Sequence, residues 1–310
     1  MTKPKEITKI DTSTIEQDVY SSLAYFDIFS HPLRTQEILE FTQQHSNQAD
    51  VSTALATLVS AGIVEKQEEY YSLAESNIDT SKRIANEDRA NAAMDDAMHY
   101  GKKIAGFPFV MAVSISGSMS KGVLHEDGDY DFFLIIKRRK IWLAKLILKL
   151  YKVVFLGNSY EYFCINYLIS DEKLEIEEKN LFTATELTTI IPVSGEVQLF
   201  NQLKEANKWV ADYLPNKNWR NYTEHLPTKR GISRLLQVAL DNRLGMALDR
   251  MIMSLTVYRN KAKYEGLVDS SLFDIAFKST EHVAKVHPGN TQQYVLKSLE
   301  EKIEKYKCQS

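Results

Sequence analysis

The sequence predicts a mixed α+β fold, in which a small mixed β-sheet with flanking helices lies between two mainly helical parts. Two apolar runs of strand length, 110–115 and 129–136, are separated by a polar loop that contains Gly122 and Gly128. Helical periodicity precedes and follows these runs, and beyond residue 196 the pattern is almost entirely helical. Together these observations place the sheet in the middle of the chain.

Length and composition set the limits for this fold. The chain has 310 residues, of which 44% are hydrophobic and 25% charged, as in globular proteins with two or three domains. We expect domains at 1–78, 79–196 and 197–310. No secretory signal is recognised, lysines interrupt the apolar stretch 141–156, and two cysteines suit a reducing compartment. We therefore expect a cytoplasmic protein without a membrane span.

Charge is distributed unevenly along the chain. Residues 1–80 hold 5 basic and 13 acidic side chains, a net charge of −8. Residues 197–310 hold 18 basic and 12 acidic side chains, a net charge of +6. Such an asymmetry indicates domains with different partners.

The N-terminal part predicts three helices followed by a short hairpin. Leu23, Phe26 and Phe29 give the first helix an apolar face, and Pro32 follows its end. Further helices are predicted over 35–41 and 50–61, and the hairpin strands over 63–66 and 70–73. This order of elements resembles a winged-helix domain.

A winged helix implies one alternative function, that of a transcriptional regulator that binds DNA. The third predicted helix, ADVSTALATLVSAG, would read the DNA but contains no Lys or Arg, and the hairpin carries Glu65, Glu68 and Glu69 against Lys66. Neutralisation of phosphates supplies most of the affinity for nucleic acids, so this charge argues against DNA binding. A protein partner or a structural role fits the acidic N-terminal domain better.

The chemistry is predicted for the stretch VMAVSISGSMSKGVLHEDGDYDFFLIIK, which follows a helix predicted over 79–106. Gly117 and Ser118 end the first strand, and their turn can offer N–H groups and a hydroxyl to a phosphate. Asp129 and Asp131 are two apart in the second predicted strand, so both carboxylates leave the same face. Two like charges this close predict a cation between them, and Mg²⁺ takes carboxylate and phosphate oxygens together.

This Gly-Ser pair, ten intervening residues and an Asp-x-Asp in an apolar strand resemble the signature of the DNA polymerase β-like nucleotidyltransferase superfamily. The resemblance covers about residues 107–169. It implies an NTP as substrate and Mg²⁺ or Mn²⁺ as cofactor. The residues that it assigns to catalysis and to the metal are Asp129 and Asp131. Those that it assigns to the nucleotide are Gly117 and Ser118, with Ser120 and Lys121 as secondary candidates.

The third carboxylate of that superfamily has no clear counterpart in this chain. It usually comes from a later strand, here predicted over 160–169, where the position is best matched by Asn166. An amide cannot hold a metal as an anion does. Glu161 lies on the other face and Asp171 beyond the strand. Glu186, in the first turn of a later helix, is either the leading outside candidate or simply a carboxylate that the helix dipole favours at an N-terminus. Either the third acid comes from elsewhere, or one metal binds weakly, or the site is degenerate.

Residues 137–155 predict a basic amphipathic helix between the second and third strands. Trp142 and Leu150 share its apolar face, while Lys145 and Lys149 lie on another. The helix either lies in a membrane interface or packs on the sheet with its lysines toward solvent. The second alternative is the normal position of a helix that joins strands.

The C-terminal part predicts a helical bundle, with helices over 200–213, 232–264 and 291–306. Polar residues around Asp241 and Asp249 interrupt the long middle helix, and they either pair within the bundle or contact a base or acceptor. A bundle beside a small mixed sheet resembles several antibiotic and tRNA-type nucleotidyltransferases.

These patterns predict an enzyme that moves a nucleoside monophosphate from an NTP to the hydroxyl of an acceptor that the sequence does not identify. A first alternative is a degenerate nucleotidyltransferase that binds nucleotide as a sensor or scaffold, which Asn166 favours. A second alternative is the winged-helix regulator.

Overall fold

The computed structural model describes residues 14–157, 162–226, 229, 231–264, 278–285 and 291–309. Helices and two β-sheets alternate along these residues, which confirms the predicted mixed α+β class. Glu161 and the first residues of the predicted strand 160–169 lie outside the described part of the chain.

The N-terminal part forms three helices and a three-stranded sheet of order β1-β3-β2. Side chains on one face of α1, such as Val19 and Leu23, are almost fully buried against α3. β1 was not predicted, because its two residues are too few to show a pattern. The elements are α1 (Ile15–Asp27), β1 (Leu33–Arg34), α2 (Thr35–Phe41), α3 (Gln48–Ser60), β2 (Val64–Gln67) and β3 (Tyr70–Leu73).

The long helix α4 (Thr80–Ala105) connects the N-terminal part to the larger sheet. Asp79 caps its N-terminus by accepting from the backbone N–H of Ser81. Near that end the buried Arg83 donates to Glu37 at 2.9 Å, and Glu87 accepts from Arg34 at 2.6 Å. The start of α4 is thus fixed to the N-terminal part by ion pairs.

The larger sheet has the order β7-β4-β5-β6-β8. Its neighbours are antiparallel except for β5 and β6, which are parallel and are joined by the crossover helix α6 (Ile141–Phe155). The strands β7 and β8 at the two edges were not predicted, because they are short and pair with distant residues. The strands are β4 (Val110–Ile115), β5 (Asp131–Ile136), β6 (Cys164–Ser170), β7 (Ile191–Ser194) and β8 (Val283–Lys285).

Helix α6 packs along most of its length, but not with the face that its sequence predicted. Trp142 is 1% exposed, and its indole N–H donates to the backbone of Thr280 at 2.9 Å. Leu150, however, is 53% exposed, so the apolar face predicted for the whole helix is wrong in its second half. Leu148 and Lys152 in the same half are 1% and 8% exposed, so the buried face differs from the predicted one and includes a lysine that was expected to face solvent.

Two of the predicted C-terminal helices are each interrupted. The stripe 200–213 divides into α8 (Val197–Ala206) and a 3₁₀ turn, because the buried Asn207 side chain accepts from the backbone N–H of Ile176. The long helix 232–264 divides at Asn242, whose side chain accepts from the backbone N–H of Gly245. The resulting helices are α9 (Gly231–Leu240) and α10 (Arg243–Tyr264).

Helix α9 contacts α10, but the C-terminal helices also pack on the two preceding parts of the chain, which a self-contained bundle would not do. Helix α10 contacts α6, and the last helix, here α11 (Thr291–Gln309), contacts α1. Tyr306 of α11 stacks on Tyr20 of α1 with ring centroids 4.0 Å apart, and Lys302 pairs with Asp27 at 2.7 Å. The boundary at residue 197 therefore stays a prediction.

Polar residues in α10 and just before it contact the central part of the chain. Lys137 pairs with Asp241, and the buried carboxylate of Asp249 accepts from the backbone N–H of Leu143 at 2.8 Å. Within the described residues, no helix has the length and apolarity needed to cross a bilayer.

Candidate functional site

The turn after β4 lies directly on a carboxylate. Gly117 has a positive φ of 65°, and a Cβ built on it would lie 2.1 Å from Oδ2 of Asp131. The backbone N–H of Ser116 also donates to the carbonyl of Asp131 at 2.8 Å. Only glycine combines this backbone conformation with so close an approach. The turn, which continues as the short helix α5 (Gly117–Ser120), is therefore held against the start of β5.

Asp129 and Asp131 lie together, although not for the reason that the sequence indicated. The ladder of β5 begins at Asp131, so the prediction that Asp129 belongs to the strand is wrong. Asp129 lies in the preceding loop, and the sheet residue Cys164 is the register partner of Asp131. One side-chain ligand atom of each of these three residues lies within 4.8 Å of the others. The loop brings the two carboxylates together, and strand alternation does not.

The pKa of Asp131 is raised to about 7, chiefly because burial disfavours its charge. The charges of Asp129 and Glu186 raise this pKa further, and Cys164 and Lys121 act in the opposite direction. A bound cation would offset both the burial of this carboxylate and its repulsion by the second carboxylate. This pair of acids therefore has the electrostatics of a cation site.

The donor set fits a hard divalent ion better than a soft one. Asp129 and Asp131 supply carboxylate oxygens, which suit Mg²⁺ or Mn²⁺. Burial and the nearby carboxylates raise the pKa of the Cys164 thiol, so the thiolate that a soft metal prefers is disfavoured. The residues present are thus compatible with the predicted cofactor.

Asn166 lies at the third-acid position, beside the pair. The side-chain N–H of Asn166 donates to Oδ1 of Asp131. The thiol of Cys164 donates to Oδ1 of Asn166 at 3.2 Å. This network orients the carboxylate of Asp131 without adding a negative charge. The position therefore has a neutral amide where the resemblance implies an acid.

Lys121 and Glu186 form an ion pair next to the turn. The ammonium of Lys121 lies 2.8 Å from Oε1 of Glu186 and donates to the carbonyl of Gly117 at 3.0 Å. Ser120 is fully buried, and its hydroxyl donates to the same carbonyl at 2.8 Å, so this side chain supports the turn from within. Helix α7 (Leu181–Thr189) delivers Glu186 from its middle.

The N-cap of α7 differs from the prediction. The sequence indicated Thr183 or Thr185 as the cap, with Glu186 in the first turn. The structure has Asn180 there, and its side chain accepts from the backbone N–H of Thr183 at 2.9 Å. Thr and Asn are both good caps, and the chain offers several of them in succession. The local sequence alone did not select among them.

A cavity of about 410 Å³ lies beside this turn, within the size range of small-molecule sites. Asp129 and Ser120 are not part of its lining. The site residues predicted from the sequence that do line it are Gly117, Ser118, Lys121, Asp131, Asn166 and Glu186.

The other walls of the cavity come from residues that sequence reasoning missed. Tyr25 near the end of α1 and Phe29 in the turn after it line the cavity, so the N-terminal part faces the site directly. A register shift in the pairing of β5 with β6 sets Tyr167 opposite Phe133, and both line the cavity together with Lys285 of β8. No signal in the sequence marks these contacts, because each joins residues far apart in the chain.

Comparison of the chain with protein-family models, with curated proteins and with solved structures finds no match. The resemblance to the polymerase β-like superfamily therefore stays a prediction that rests on Gly117, Ser118, Asp129 and Asp131. The structure adds the spatial arrangement of these four residues, which the spacing alone did not define.

Proposed function

We propose that this chain is a Mg²⁺- or Mn²⁺-dependent nucleotidyltransferase that moves a nucleoside monophosphate from an NTP to an acceptor hydroxyl. The observation that carries the proposal is the contact between the Gly117 turn and the carboxylate of Asp131, with Asp129 beside it. A phosphate-binding turn and a paired-carboxylate cation site are then adjacent at the edge of one cavity.

Asp129 and Asp131 would hold the divalent ion. When bound, such an ion offsets negative charge on the phosphates in the transition state. Asn166 keeps the carboxylate of Asp131 in one orientation through its hydrogen bond.

The turn residues would bind the triphosphate. The N–H groups after Gly117 and the hydroxyl of Ser118 are the donors of the turn, and Lys121 adds a positive charge next to it. In the transfer, the acceptor oxygen bonds to the α-phosphorus and pyrophosphate leaves with the electrons of the broken P–O bond. Glu186 is the residue that we assign to take the hydroxyl proton, because its carboxylate lines the same cavity.

Isothermal titration of ATP, GTP, CTP and UTP, with Mg²⁺ and with EDTA, tests the nucleotide site. We expect one or more NTPs to bind only with Mg²⁺, and Asp129→Asn and Asp131→Asn to lose that binding. Asp127→Asn is the matched control, because it removes the same charge from an exposed position of the same loop. Equal binding by all four proteins would contradict the proposed site.

A sensor or scaffold that binds nucleotide without turnover is the second candidate function. Asn166 favours it, because a neutral amide occupies the position of the third acid. Release of pyrophosphate distinguishes the two candidates when it is measured with each NTP across a panel of hydroxyl acceptors. Mg²⁺-dependent binding without pyrophosphate release in any combination would favour the sensor.

A further inference from the structure

The far side of the cavity carries a buried cation that the proposed chemistry does not use. Lys285 of β8 is 7% exposed, and its ammonium donates to the neutral Oε1 of Gln292 at 3.2 Å. In the described part of the chain no carboxylate lies within 4.0 Å of it. Buried lysines normally pair with an anion, and burial here lowers the pKa of Lys285 although the more distant charges of Glu178 and Glu186 act in the opposite direction.

Tyr167 is the direct neighbour of Lys285 across the sheet. The two residues are register partners in the antiparallel ladder of β6 and β8, so their side chains leave the same face. The hydroxyl of Tyr167 is buried and has no hydrogen-bond partner among the described residues. An ammonium and a hydroxyl, both lacking an anionic acceptor, therefore border the same cavity.

The rest of this half of the cavity is apolar and rich in rings. The ring of Tyr167 stacks on Phe133 with centroids 5.6 Å apart and an interplanar angle of 20°. Phe182 of α7 and Phe29 from the N-terminal part lie in the same lining. Flat rings pack well against such surfaces, and a saturated, strongly hydrated ligand would lose its water without compensation.

We propose that the cavity binds a small aromatic carboxylate, whose carboxylate pairs with Lys285 and whose ring lies against Phe133 and Phe182. The hydroxyl of Tyr167 is the second donor to the carboxylate. Two donors side by side match the two oxygens of this group. That this molecule is also the acceptor of the nucleotidyl transfer rests on the function proposed above.

The two ends of the cavity are close enough for one molecule to connect them. Asp131 and Phe133 lie two apart on β5, and β8 lies two strands away from β5, which is about 10 Å at normal strand spacing. Glu186 also lines the cavity, and its ion pair with Lys121 holds it beside the turn. If the carboxylate of the ligand pairs with Lys285, a hydroxyl at the opposite end of its ring points toward the turn.

The experiment measures binding of benzoate, 4-hydroxybenzoate and phenylacetate by ligand-observed NMR and isothermal titration, in EDTA and without nucleotide. Benzamide is the neutral isostere of benzoate, acetate lacks the ring, and phenyl phosphate carries a different anion. We expect the aromatic carboxylates to bind, and benzamide and acetate to bind at least tenfold more weakly. Phenyl phosphate as the tightest ligand would overturn the choice of a carboxylate.

Two variants locate the binding. Lys285→Met retains the linear stem but removes the ammonium, and we expect at least a tenfold loss of affinity for the carboxylates. Tyr167→Phe should weaken binding severalfold and leave the melting temperature equal or higher, because the hydroxyl is unpaired in the free protein. Lys297→Met, on the exposed side of α11, is the control that retains full affinity.

Several outcomes would overturn the assignment. These are no binding by any of the three carboxylates, equal binding of benzoate and benzamide, or unchanged affinity in Lys285→Met. Because the titrations contain neither metal nor nucleotide, such a result leaves the transferase proposal standing. Conversely, failure of every NTP to bind leaves the carboxylate site intact.

Discussion

Gly117 is the residue on which the geometry of the site depends most directly. A methyl group at this position would overlap Oδ2 of Asp131, so the turn and the carboxylate would have to separate. Gly122, a few residues later, has a similar positive φ of 77° but open space around its Cβ position. Alanine substitutions at the two glycines therefore distinguish the effect of backbone strain from the effect of the contact with Asp131.

We expect Gly117→Ala to abolish Mg²⁺-dependent NTP binding and Gly122→Ala to retain it. Gly122→Ala should lose about 1 kcal/mol of unfolding free energy, because alanine is strained at a positive φ. Gly117→Ala should lose more, because its methyl group also overlaps Asp131. Titration with NTP and chemical denaturation measure the two quantities. If both variants bind NTP normally, the contact between the turn and Asp131 is irrelevant to the nucleotide.

The ionised carboxylate of Asp131 would bind the proposed cation, but its charge lowers the stability of the folded protein. Its pKa in the folded protein is about 7, above the value of 3.8 for a free aspartate. Ionisation is therefore harder in the folded state, and the resulting loss of stability begins above pH 3.8 and grows until about pH 7. Below pH 3.8 the carboxyl is protonated in both states and the loss disappears.

We expect Asp131→Asn to raise the unfolding free energy in EDTA at pH 8, by at most about 4 kcal/mol, and to have little effect near pH 3.8. Denaturant titrations across this pH range measure the difference. Asp127→Asn, which changes an exposed carboxylate, should show no comparable gain. A destabilised Asp131→Asn protein at pH 8 would contradict the account of the buried pair.

At the scale of elements, the sequence predicted those that are locally encoded. Helix α4 was predicted over 79–106 and spans Thr80–Ala105, because its cap and its periodicity lie within the element. Strand β4 was predicted over the six residues that it occupies, because a β-branched run bounded by a glycine turn is a local signal.

The elements that were missed are defined by partners elsewhere in the chain. Strand β8 has three residues and exists because it pairs with β6, more than 100 residues earlier. The residues of the site fall into the same two groups, those predicted from local sequence and those missed. The turn and the acids were predicted from spacing, whereas Lys285 and Tyr25 reach the cavity only through tertiary packing. Local patterns carry no information about such contacts.

Asn207 shows how one side chain sets the end of an element. Its side chain is fully buried, accepts from the backbone N–H of Ile176, and donates to the carbonyls of Leu174 and Leu203 at 2.8 Å each. These bonds end α8 and hold the segment before α7 against it.

We expect Asn207→Ala to lower the unfolding free energy by about 3 kcal/mol, because it leaves several buried backbone groups without partners. Asn201→Ala, at an exposed position of α8, should change it by less than about 0.5 kcal/mol. Thermal and denaturant unfolding test both values. Equal stabilities of the two variants would show that Asn207 does not determine the end of the helix.

At the scale of the whole molecule, helix α11 joins the N-terminal part to the rest of the chain. It packs on α1 and also contacts α7, which carries Glu186. The stacked rings of Tyr20 and Tyr306, which are 5% and 7% exposed, form part of the contact with α1. We therefore expect the N-terminal part and the central sheet to unfold in one transition.

Tyr306→Ala tests this coupling. The variant should lose about 3 kcal/mol, since it deletes a buried ring, and Tyr294→Ala, on the exposed side of the same helix, should be nearly neutral. Tryptophan fluorescence reports on the central and C-terminal parts, and hydrogen exchange of α1 reports on the N-terminal part. A Tyr306→Ala protein with wild-type stability would argue that α11 does not link the two parts.

The walls of the cavity have a consequence for synthesis of the chain. Tyr25 is made early, whereas Lys285 and Gln292 are made more than 250 residues later, and all three border the same space. Until β8 leaves the ribosome, the edge of β6 has no partner on that side, and open strand edges are prone to pair with other chains. A ribosome-bound chain stalled before residue 283 would thus have the turn and both acids but neither the closed sheet nor the buried lysine. We infer that chaperone binding to the nascent chain is strongest in that interval and ends when β8 pairs with β6.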